Sequence, residues 1–167
     1  MMRSLIMLAR EKSDPAAKSY KPDLQKIRAR KSPGKIFNTI PSEIFENSQS
    51  MINASKAGVP GAWLKGVIDA VGLRDVFVSA FNITSPNLSR MYRRATLDRE
   101  DSEEFLDTVR LLKKSNEVWE DESLSLSWLD SPVPALGGQK PRELIDTFEG
   151  RRWVMKVLSK IEYGDFS

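Results

Sequence analysis

Between Ser85 and Arg94 the chain gathers residue types that hydrogen-bond base edges and phosphates: Ser85, Asn87, Ser89, Arg90, Arg93 and Arg94. Leu88, Met91 and Tyr92 alternate with them and are expected to face inward. One reading is a helix that contacts DNA. The plainer one is a solvated helix end, where Arg93-Arg94 only complements the helix dipole. Little else in the chain could do covalent chemistry. There is no Cys and no His, which excludes a disulfide framework, a zinc finger, a Cys or Ser-His nucleophile pair and an imidazole acid or base. The acidic run Glu117–Glu122, broken by Val118 and Trp119, reads as a solvated face rather than a metal site. No catalytic residue, metal or cofactor is expected.

The elements that must position these side chains are helices. Ala57-Gly58-Val59-Pro60 reads as a turn, with Pro60 in or near a first helical turn. Trp63, Leu64, Val67, Ile68 and Val71 then recur in steps of one and three, one face of a helix over 61–71 closed by Gly72. Arg74 to Phe81 is a helix of about two turns, which Asn82 can end in left-handed geometry. Thr84 or Ser85 can cap the next helix, with Pro86 at its first position. Two short helices so joined make a helix-turn-helix. A long acidic helix over 98–120 follows, capped by Asp98 or Ser102. Its stripe Phe105, Val109, Leu112 and Trp119 is a core or dimer seam.

The net charge of +3 is an average over unlike parts. Residues 1–40 carry a local +7, 41–100 carry +1, 101–123 carry −5 and 124–167 are neutral. A basic arm beside a near-neutral body is a common footprint of nucleic-acid contact, and equally of a solvated tail. Prolines at 15, 22 and 33 interrupt any helix there. Ordered structure is expected to begin in earnest near Ser55, although Thr39–Glu43 could open a helix with Ile44, Phe45, Met51 and Ile52 on its apolar side. Leu5–Ala9 is too short an apolar run for a membrane span or a signal segment, so the protein is expected in the cytoplasm. The expected organisation is all-α: a basic, partly disordered arm over 1–54, a helix-turn-helix domain over 55–97, a connecting helix over 98–123 and a small helical domain over 124–167.

The last forty residues are patterned differently. Asp130-Ser131-Pro132-Val133-Pro134-Ala135-Leu136-Gly137-Gly138 must follow a defined non-helical path. Lys140–Ile145 reads as a helix start with Leu144, Ile145 and Phe148 on its apolar side, and Asp146–Gly150 as a stop. A new helix carries Trp153, Val154, Val157, Leu158 and Ile161, again in steps of one and three, until Gly164. Tyr163 and Phe166 are large apolar groups at the terminus, which either fold back on the core or dock into a partner. Trp119, Trp128 and Trp153 are a heavy apolar load for so small a domain and favour a homodimer.

The string Trp128-Leu129-Asp130-Ser131-Pro132, Ala135-Leu136-Gly137-Gly138, Pro141-Arg142-Glu143-Leu144, Thr147, Glu149-Gly150, Val154, Val157-Leu158 and Ile161-Glu162-Tyr163-Gly164 resembles the toxin-binding domain of the Xre/MbcA/ParS antitoxins. Upstream, Ala57-Gly58-Val59-Pro60, Arg93-Arg94, Leu97 and Glu100 to Ser102 resemble the Xre antitoxins that accompany RES-domain toxins. The resemblance spans residues 55–167 and leaves 1–54 without a counterpart. It implies a type II antitoxin that blocks the active site of a NAD-degrading RES toxin and represses its own operon through operator DNA. It implies a toxin-binding set of Gly150, Arg151, Val154, Ile161, Glu162, Tyr163, Gly164, Asp165, Phe166 and Ser167. The alternative is a helical interaction module, or a stand-alone regulator without a toxin partner.

Overall fold

One helix of 21 residues organises the chain, and its neighbours are placed by what it buries. The computed structural model describes residues 37–164, and every regular element among them is helical, as the all-α expectation requires. In chain order these are α1 (Ser48–Ala57), α2 (Gly61–Val71), α3 (Arg74–Ala80), α4 (Ser85–Met91), α5 (Arg99–Trp119), α6 (Glu122–Leu129) and α7 (Phe148–Tyr163). Single 3-10 turns lie at Phe37–Thr39, Ser42–Phe45, Pro134–Leu136 and Pro141–Glu143. Helix α5 packs against α1, α6 and α7. It buries Phe105, Leu106, Val109, Leu111, Leu112 and Val118, a broader face than the single stripe in the sequence.

Side-chain caps set most of the helix starts. Asn47, Asp98, Asp121 and Thr147 each accept from a backbone N–H three residues on, at 2.9, 2.9, 2.9 and 3.1 Å. Asn82 (φ 50°) and Glu120 (φ 54°) turn the chain in left-handed geometry after α3 and α5. Asn tolerates that region at low cost, so Asn82 ends α3 as its side chain predicts. The turn Gly58–Gly61 interlocks with the chain after α4. Leu97 N donates to Val59 O at 2.8 Å, Val59 N to Ser102 Oγ at 3.1 Å, and Gly61 N to Arg94 O at 3.1 Å. A Cβ on Gly61 would stand 2.0 Å from Met91 O, so only glycine lets α2 start here.

Three expectations are corrected. Order begins well before Ser55: Ile40 is fully buried and α1 packs on α5, so residues 37–54 belong to the folded body. The rest of the arm expected over residues 1–54, namely residues 1–36, lies outside the described residues. Pro141–Glu143 is one 3-10 turn and not the start of a helix, and Gly150 is no stop. It sits in the first turn of α7, where a Cβ would meet Leu144 O at 1.8 Å. Trp119 and Trp128 pack on each other within one chain, ring centroids 5.9 Å apart. Trp128 is buried and Trp119 half-buried, and of the three tryptophans Trp153 alone is exposed.

Candidate interaction surfaces

Helices α3 and α4 are joined through Phe81–Thr84, and Leu88 and Met91 of α4 are buried while Tyr92 is half-buried. The opposite side of α4 presents Ser85, Asn87, Ser89, Arg90 and, just beyond it, Arg93 and Arg94, all exposed. They fall on one exposed side because α4 turns every 3.6 residues and its apolar residues have faced the core. They are not equally available. Asn87 Oδ1 accepts from Arg90 Nη1 at 3.1 Å, and Arg94 leans toward Asp101 of α5 at 3.6 Å. Burial, and then Asp98, raises the Asp101 pKa. Ser85 and Ser89 are both held by Arg74, the first residue of α3. No spacing rule links Arg74 to α4 across the turn, so the sequence does not single it out.

The residues expected to meet a toxin separate into two groups on α7. Gly150, Arg151 and Val154 are buried within the fold and are not surface contacts. Arg151, 3% exposed, is an internal brace. It binds Glu104 through both carboxylate oxygens at 2.5 and 2.8 Å, Asp107 at 2.6 Å and the Ile145 carbonyl at 3.0 Å. Burial opposes its charge, but the bonds to Glu104 and Asp107 outweigh that and raise its pKa. Ile161 and Glu162 are half-buried, and Glu162 pairs with Lys114 of α5 at 2.6 Å. Gly164 closes the helix at φ 67°. Asp165, Phe166 and Ser167 lie outside the described residues.

The outer face of α7 joins Tyr163, expected to meet a toxin, to Phe148 and Trp153, which the sequence assigned to packing. Trp153 is 42% exposed, Phe148 61% and Tyr163 80%. Arg152 and Lys156 are exposed beside them. Trp153 directly precedes the buried Val154, and a 100° step per residue is enough to turn it out of the core. The loop before α7 is tied to the α3–α4 unit. Arg142 bonds Asp130 at 2.6 Å and both oxygens of Asp75 at 2.8 Å, and Ser79 Oγ donates to Asp146 at 2.6 Å. At the α5–α6 corner, burial first and the Asp121 charge second push the Glu122 carboxyl up to about 7. No group of three or more acidic residues that could hold a metal ion occurs among the described residues, and no helix among them is long and apolar enough to cross a membrane.

Comparison with known proteins bears on the second half of the chain most directly. Residues 114–164 match the family described as the antitoxin Xre/MbcA/ParS C-terminal toxin-binding domain. A protein of Sphingobium sp. (strain YBL2) named "Prs ADP-ribosylating antitoxin" is 33% identical over 128 residues, covering 70% of this chain and 80% of that protein.

Proposed function

Because this chain belongs to the Xre/MbcA/ParS antitoxin family, we propose that it neutralises a RES-type, NAD-degrading toxin by covering its active site, and represses its own operon by binding operator DNA. In this reading it is a binding protein and not an enzyme. The observation that carries the first half is the outer face of α7, which lies inside the matched toxin-binding segment. Trp153 and Tyr163 stand there in water, flanked by Arg152 and Lys156. Large aromatics beside arginine are the side chains that anchor interfaces. The name of the Sphingobium relative couples an antitoxin to ADP-ribosylation. That chemistry consumes NAD, which accords with an NAD-degrading partner.

The second half is supported by the exposed polar side of α4. A homodimer would present two copies of α4 to a palindromic operator about one DNA turn apart. The basic residues of 1–36 would add phosphate contacts. Both halves are tested with the full chain co-expressed with the toxin encoded beside it. Removing residues 163–167, or changing Trp153 to Ala, is expected to abolish protection while the protein still folds. Full protection by both variants would remove the outer face of α7 from the interface. Arg93→Ala with Arg94→Ala is expected to weaken binding to the upstream DNA and to flatten its salt dependence by about two phosphate contacts. An unchanged salt slope would remove those arginines from the DNA.

A further inference from the structure

Arg74 ties the start of α3 to nearly the whole length of α4. Its Nε and Nη2 donate to Ser85 Oγ at 3.1 and 2.8 Å, and Nη2 also to the Ser85 carbonyl at 2.7 Å. Nη2 reaches Ser89 Oγ at 3.0 Å, and Nη1 reaches the Tyr92 hydroxyl at 2.6 Å. The guanidinium carbon stands 5.7 Å from the centre of the Tyr92 ring. Ser85, Ser89 and Tyr92 are spaced by four and three, so a single planar fork grips one stripe of α4.

The two serines come out of this grip in different states. Arginine can only donate, so each hydroxyl oxygen it touches is used as an acceptor. Ser89 Oγ also points back to the Ser85 carbonyl at 3.4 Å, which turns it into its own helix. Ser85 Oγ takes two bonds from Arg74 and sits at the exposed start of α4. Its lone pairs are engaged by a cation, so the hydroxyl proton is what it has left to offer outward. Such a hydroxyl is a donor and a poor acceptor.

We propose that Arg74 is a specificity-determining positioning residue for DNA. It fixes α4 on α3 and makes Ser85 a donor, so that Ser85 selects a base edge presenting an acceptor, while Ser89 serves as scaffold. In the major groove such edges are guanine N7 and O6, adenine N7 and thymine O4, and cytosine N4 is rejected. The inference rests on the DNA-binding reading above.

The test uses the full chain and duplexes it selects from a random pool. The preferred duplex is compared with a scrambled one of the same composition. Ser85→Ala removes the hydroxyl and leaves Arg74 its bonds to Ser89 and Tyr92. It is expected to bind the selected duplex about tenfold more weakly, the loss of one hydrogen bond to a base edge. Arg74→Lys keeps the charge but, as a compact ammonium, cannot span three partners. It should cost a similar factor at the selected duplex, with scrambled-duplex affinity and salt slope unchanged. In the Ser85→Ala background Arg74→Lys should cost less than about twofold more, since both changes remove one interaction. Ser89→Ala should leave the preferred bases unchanged. The proposal is overturned if Ser85→Ala binds like the parent, if the two losses simply multiply, or if Arg74→Ala flattens the salt slope by about one, which would make Arg74 itself a phosphate contact. A pool that yields no preferred sequence with the unaltered protein is a separate result. It would remove the DNA-binding reading and this inference with it.

Discussion

Replacing Arg151 with Met tests whether α7 is held by a buried ion-pair brace or presents that arginine to a partner. The guanidinium is almost wholly inside the fold and makes four contacts between 2.5 and 3.0 Å, to Glu104, Asp107 and the Ile145 carbonyl. Methionine has a similar stem length and fills much of the same space, so the change isolates the charge. Glu104 and Asp107 would be left without their main cation, although Asp107 keeps Arg110. Breaking a buried pair by removing one partner costs roughly 3–5 kcal/mol. The Glu104 side chain is 26% exposed and can be partly rehydrated, which points to the lower end, about 3 kcal/mol. Urea unfolding followed by circular dichroism, at one fixed protein concentration, should show a lower midpoint with the same slope. Toxin affinity, measured cold enough that the variant is folded, should be unchanged. A loss below about 1 kcal/mol would mean that the brace is no stronger than a surface pair. Unchanged stability with a tenfold loss of toxin affinity would return Arg151 to the docking surface.

Two further outcomes follow from the same packing. Glu122, raised from 4.5 to about 7, holds a proton in the folded state that the unfolded chain has already lost. Stability should therefore fall as pH rises through that window and level off above it. Glu122→Gln should abolish this slope and unfold at higher urea than the parent at about pH 8, a comparison repeated at about pH 5. Among the glycines, alanine at Gly150 or Gly61 would force Cβ to within 1.8 or 2.0 Å of a carbonyl oxygen. Each should cost about 2 kcal/mol or more in thermal unfolding, while alanine at Gly66, which meets nothing within 4 Å inside α2, should gain about 0.5–1 kcal/mol.

Much of the helical plan was legible because its signals are local. Asp98 announces α5, Asn82 ends α3, Pro86 starts α4, and the steps of one and three mark α2 and α7. Helix α6 was not legible. Its Ser-Leu alternation has a period of two, and it becomes a helix through the Asp121 cap and the buried contact of Ser125 with Ser115 at 2.8 Å. The exposure of residues on α7 was not legible for a related reason. An arginine and a tryptophan two residues apart on a helix look like a polar and an apolar position, but α7 buries Arg151 and exposes Trp153.

The sequence by itself determined the class of the fold, the starts and stops of most helices, the absence of Cys and His chemistry, and the family pattern over the C-terminal segment. These depend on residues within a few positions of one another. The tertiary structure alone decided which of those residues face water. Glu104 and Asp107 stand 47 and 44 residues before Arg151, and Arg74 stands 11 and 18 residues before Ser85 and Tyr92. A charged side chain goes inside only when distant partners satisfy it, and those partners meet only once the helices have packed.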